Sequence, residues 1–201
     1  KPAVQAYLAS VSFTDAQVGR LLDALDRSPN AHNTIVLLFS DHGFHLGEKQ
    51  RWAKQSLWER STRVPLIISV PHGLQGKVCN RPVELLSIYP TLLQLCGLPT
   101  RDDLEGVSLQ PLLNDPDAAW QHVAMTTYQR NNHAVRSQHY RYIRYADGSE
   151  EFYDHRVDPH EWKNLASSSE HQNIKRELAA AIPEQQHAGL KVQTWFDKYQ
   201  P

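Results

Sequence analysis

The chain has 201 residues, 40% of them hydrophobic and 21% charged, which suits folded domains with buried cores and excludes a disordered polymer. Its formal net charge is −1 at pH 7, so no general excess of positive charge favours nucleic acid or an anionic membrane. No apolar run reaches the ~18 residues of a membrane span, and the two cysteines, Cys79 and Cys96, are too few for a disulfide framework or a zinc cluster. They read as buried thiols, or as one disulfide.

Residues 3–26 open the chain with apolar side chains at three- and four-residue steps (Val4, Tyr7, Leu8, Val11, Val18, Leu21, Leu22, Leu25), the spacing of an amphipathic helix ended by Ser28, Pro29 and Asn30. Residues 34–39 follow as a short β-branched run that suits a strand buried on both faces of a parallel sheet, and residues 64–70 form a second such run. Residues 87–95 read as a helix, with Pro90 in its first turn and Gly97 just beyond its end. Helix, strand, loop, strand and helix together predict an α/β sheet over residues 1–120. Past Trp120 the pattern changes. Residues 122–128, 134–136, 140–145 and 151–153 read as short strands, with Asp147-Gly148 as a hairpin turn, and residues 174–182 read as a helix. Residues 121–201 are therefore expected to form a small antiparallel sheet with a helix packed on it.

The chemistry concentrates in residues 40–63, a loop of unusual length leaving the end of the first strand, where ligands of α/β sheets bind. It begins Ser40-Asp-His-Gly-Phe-His-Leu-Gly-Glu48 and reaches Trp52-Ala-Lys54. The Asp41 carboxylate suits a hard cation such as calcium or magnesium. His42 beside it can join the cation or donate a hydrogen bond to an anion. Gly43 and Gly47 permit close backbone approach and sharp bends, and Lys54 is a point charge able to reach a tetrahedral oxyanion. The same residues are also compatible with a side-chain-capped turn, or with zinc on His42 and His45.

These segments, with Thr62-Arg-Val-Pro-Leu-Ile67, Val83-Glu-Leu-Leu-Ser-Ile-Tyr-Pro-Thr91, Leu104-Glu-Gly-Val-Ser-Leu109, Tyr153-Asp-His155 and Asp158-Pro-His-Glu-Trp-Lys-Asn-Leu165, resemble the sulfatase family of the alkaline-phosphatase-like superfamily, in particular its iduronate-2-sulfatase-like branch. The resemblance implies a sulfuric ester hydrolase acting on a sulfated carbohydrate such as a glycosaminoglycan. It assigns Asp41 and His42 to a calcium ion and Lys54 to the substrate sulfate, with a lesser catalytic role for His42 as a proton carrier. The family's nucleophile is a formylglycine made from the cysteine of a Cys-x-Pro-Ser-Arg motif. Neither Cys79-Asn-Arg-Pro nor Cys96-Gly-Leu-Pro matches that motif. The nucleophile and two further aspartate ligands are thus expected in an N-terminal portion outside this chain, and an exported or lysosomal setting would fit the family. Alternatives are a non-catalytic sulfoglycan-binding fragment and a related phosphatase or phosphonate hydrolase.

Four further readings concern the rim, the sugar and the second sheet. His45 is placed near the pocket rim. Asn132 and His133, on a turn within an Asn-His-x-Val-Arg segment similar to that branch, are placed within reach of the sugar. The alternating Tyr140-Arg-Tyr-Ile-Arg144 predicts an aromatic face and a solvated cationic face. Trp52 and Trp58 flank Lys54 and either pack the loop or line a sugar subsite.

Overall fold

The computed structural model describes residues 1–184; the end of the expected C-terminal subdomain, 185–201, lies outside them. The chain divides into two compact units. One comprises Lys1–Lys54, Arg60–Asn80 and Leu85–Ala119; the other comprises Gln55–Glu59, Arg81–Glu84 and the residues from Trp120 onward.

The first unit opens with helix α1, Pro2–Asp26, in which Pro2 occupies the first turn, where its missing N–H is harmless. Strand β1, Val36–Phe39, pairs with β4, Leu66–Ser69, in the register Val36↔Ser69 to Phe39↔Leu66. The pairing is antiparallel, not parallel as the apolar runs predict, and neither strand is fully buried: Phe39 and Ile67 are largely exposed. An apolar run encodes burial but not direction. Here the intervening residues turn back on themselves and return the chain beside its own strand.

Those residues are not featureless. They contain a two-rung hairpin of β2, His45–Leu46, and β3, Trp52–Ala53, joined through a 3-10 turn at Glu48–Gln50, and then the short helix α2, Glu59–Thr62. Helix α3, Ile88–Leu95, is tied to α4, Gln110–Asn114, through buried Thr91. The Thr91 hydroxyl donates to the Ser87 carbonyl at 2.6 Å and accepts the Leu109 N–H at 2.8 Å. Cys79 and Cys96 are exposed free thiols, against the expectation of burial or a disulfide: one lies in a polar loop and the other caps α3.

The second unit is an antiparallel sheet of β5, Ala124–Thr127; β6, His133–Arg136; β7, Tyr140–Arg144; and β8, Glu150–Asp154, in that spatial order. Strand alternation sends Val135, Tyr142 and Phe152 to one face, where helix α5, Gln172–Ala179, covers them with Leu178. Ala134, Ile143 and Tyr153 point to the other face and pack on Leu57. Both faces are therefore covered. This overturns the solvated cationic face: Arg141 shares the face of Ile143 and is only 2% exposed. Among the described residues, no helix is long and apolar enough to cross a membrane.

Candidate functional site

Asp41 and His42 follow directly on β1. The Asp41 side chain is 80% exposed and that of His42 33%, so a rigid strand presents both to solvent. His42 Nδ1 lies 2.8 Å from the Gly43 carbonyl. A carbonyl only accepts, so Nδ1 carries a proton, and in the neutral ring Nε2 keeps its lone pair. Nε2 in turn stands 3.6 Å from Asp41 Oδ2. Two lone-pair donors facing one another are satisfied by a shared cation or by a second proton on the ring.

The geometry depends on Gly43. Its N–H donates to the Ser61 carbonyl at 2.8 Å, and a Cβ on it would lie 2.1 Å from the Arg60 carbonyl oxygen and 2.9 Å from that of Arg63. Ser40 Oγ closes the bend by donating to the His42 carbonyl. The register His45↔Ala53, extended by one residue, sets exposed Lys54 across from Phe44, so the hairpin returns its backbone to within two residues of His42 in register.

Three non-glycine residues leading to Lys54 adopt the left-handed region, Lys49 (φ 52°), Gln50 (φ 57°) and Ala53 (φ 69°), alongside Gly47 (φ 116°). Such backbone persists only where its surroundings over-determine it. Part of that support is Glu48, whose carboxylate accepts the Leu46 N–H at 2.7 Å and lies 3.6 Å from Arg60 Nε. Partial burial pushes the Glu48 carboxyl up, but the hydrogen bond from Leu46 and the charge of Arg60 outweigh it and hold the group below its ordinary value.

The other sequence candidates fall elsewhere. His45 is fully buried inside the first unit, so it does not line an exposed rim. His133 is not on an exposed turn: it is 2% exposed on β6, with Nδ1 2.9 Å from Thr127 Oγ1, its cross-strand partner. Asn132 is half-buried and engaged at both ends of its amide, donating to the Arg130 carbonyl at 3.0 Å and accepting the Ala146 N–H at 3.1 Å. Trp52 is half-exposed over Gly47, whereas Trp58 packs with the second unit's core and donates to Glu151 at 2.6 Å. Sequence reasoning missed Arg141 and Glu161. Their partners lie up to 102 residues away in the chain, and only the period-two position of Arg141 beside Ile143 hinted at its burial.

As a cation site, Asp41 and His42 suit calcium in part. The carboxylate is a hard oxygen donor and the imidazole an auxiliary one, but calcium takes roughly six to eight ligands, so the pair is a fraction of a shell.

Residues 1–98 match the family model described as Sulfatase, and the chain belongs to the sulfatase family. A sulfatase of Formosa agariphila is 49% identical over 183 residues, covering 91% of this chain and 36% of that protein. The iduronate 2-sulfatase of Mus musculus is 41% identical over 120 residues, 47% of this chain and 22% of that protein. A solved complex of a protein with its substrate D-glucosamine-2-N,6-O-disulfate superposes with a TM-score of 0.75 at 29% identity, over 87% of this chain and 38% of that one. The chain thus spans little more than a third of the Formosa relative's length.

Proposed function

We propose that this chain supplies calcium and sulfate contacts to a sulfatase acting on a sulfated carbohydrate. The observation carrying this reading is the strand-end pair: Asp41 and Nε2 of His42 face one another in solvent, and the hairpin returns the backbone of Lys54 to the same end. Bound calcium would draw charge from sulfate oxygens and so favour cleavage of the ester. Asp41 and His42 would hold the ion. Lys54 would neutralise charge on the sulfate oxygens as the bond to the sugar oxygen lengthens. His42, with Nδ1 committed to Gly43, has Nε2 as its one site for a proton or an ion. While it holds the ion it does not carry a proton, so its metal role ranks above the acid role.

The nucleophile of this reading, a formylglycine, belongs to an N-terminal portion of the enzyme, since neither Cys79 nor Cys96 lies in the required motif. A substrate of the sulfated-sugar class is supported by the neighbouring complex with a glucosamine disulfate.

Calcium titration by calorimetry tests the assignment in the assembled enzyme, meaning this chain with its N-terminal portion. Asp41→Asn is expected to weaken calcium by about 10- to 100-fold or more; an unchanged affinity removes Asp41 from the shell. Lys54→Ala is expected to retain calcium and lower kcat/KM for a sulfate ester by about 100-fold. A loss of folding in that variant would make Lys54 structural instead.

A further inference from the structure

The segment that follows Lys54 is held by buried charge. Leu57 is 2% exposed, and its carbonyl accepts from Arg141 Nη1 at 3.2 Å. The Glu59 N–H donates to Glu161 Oε2 at 2.9 Å, and the Glu59 carboxylate pairs with Arg141 Nη2 and, at 3.5 Å, with Arg136 Nε. Glu161, 1% exposed, also pairs with Arg141 Nε at 2.6 Å and with His155 Nε2 at 2.9 Å. The motif 158–165 builds this arrangement. Asp158 accepts the Lys163 N–H and Asn164 accepts the Phe152 N–H, folding the loop against β8, while Glu161 takes a left-handed backbone (φ 60°) that aims its carboxylate inward.

Donor atoms of Glu59, His155 and Glu161 lie within 4.8 Å of one another, which is metal-site spacing. The two guanidinium groups already balance the two carboxylates, however, so the cluster is complete without an ion. Its effect is to fix backbone: the carbonyl of Leu57 and the N–H of Glu59 are both gripped. Leu57 is three positions beyond Lys54, a reach of at most roughly 11 Å, and Ala53 on the other side is already strained.

We infer that Arg141, Glu161 and His155 are positioning residues for Lys54, acting through the covalent chain by locking residues 57–59. The functional consequence rests on the sulfatase reading of Lys54; the mechanical one does not. Hydrogen–deuterium exchange on the 201-residue chain tests the latter with Glu161→Gln and the milder Arg141→Lys. Both variants should speed exchange across 45–54 as well as 55–59 by at least about tenfold while β5–β8 keep their protection. Faster exchange confined to 55–59, or loss of protection throughout β5–β8 in both variants, overturns the inference. In the assembled enzyme, Arg141→Lys should raise KM for a sulfate ester by about tenfold with calcium affinity unchanged, whereas unchanged kinetics in a folded variant would also overturn it. If the wild type hydrolyses no sulfate ester yet the exchange pattern appears, the sulfatase reading fails and the mechanical coupling stands.

Discussion

A methyl group on Gly43 would meet the Arg60 carbonyl oxygen at 2.1 Å, and backbone cannot yield as a flexible side chain can. Gly43→Ala should therefore cost about 1–3 kcal/mol in urea unfolding of the chain, and a neutral result would show that the loop relaxes freely. This requirement is legible in the sequence, because glycine after a strand-end Asp-His signals close approach. Asp41 and His42 drew attention as polar residues at the end of an apolar strand, whereas their assignment to calcium, and that of Lys54 to sulfate, came from the family resemblance. The burial of His45 and His133 was not legible, because a histidine in a polar stretch looks superficial. Only tertiary structure puts His45 fully inside and pairs His133 with Thr127. Arg141 was misread in the opposite sense, since a buried guanidinium is recognisable only once its distant carboxylates are in place.

At the scale of elements, period-two alternation exposed the antiparallel sheet of the second unit, and three- and four-residue spacing exposed α1. The direction of β1 against β4 was not legible, because turns and not apolar runs decide it. Phe152 sits at the centre of the helix-covered face, fully buried against Tyr140 at a ring separation of 5.4 Å. Phe152→Ala should cost about 3–5 kcal/mol in a calorimetric melt of the chain, and a loss below 1 kcal/mol (about the smallest core effect) would mean the face is loosely packed.

The opposite face should be acid-sensitive. Burial raises the carboxyls of Glu59 and Glu161, but the arginines around Glu59, and His155 with Arg141 around Glu161, prevail and hold both below the ordinary 4.5. Groups whose folded pKa is depressed stabilise fully above the unfolded value and lose that contribution as pH falls through the folded one. The melting temperature should thus be level above about pH 5 and fall below about 4.5. Glu161→Gln should lower the plateau and make the fall shallower. An equally steep fall in that variant would assign the acid sensitivity to other carboxylates.

For the whole molecule, the notable feature is apolar surface. No residue of α1 is buried, and Leu8, Phe13 and Leu21 are 56%, 68% and 71% exposed. On the proposed function, the N-terminal portion of the enzyme would cover this helix. Leu8→Asp with Leu21→Asp should then abolish co-purification of the two portions while leaving the melting of the β5–β8 sheet unchanged; retained association would locate the contact elsewhere.

The central claim is met most directly by one kinetic comparison: kcat/KM of the assembled enzyme for a sulfate monoester of a sugar against the matching phosphate monoester. A preference for the sulfate ester, lost together with calcium binding in Asp41→Asn, is the predicted result. Hydrolysis of the phosphate ester alone, or sulfate hydrolysis indifferent to Asp41, would contradict it.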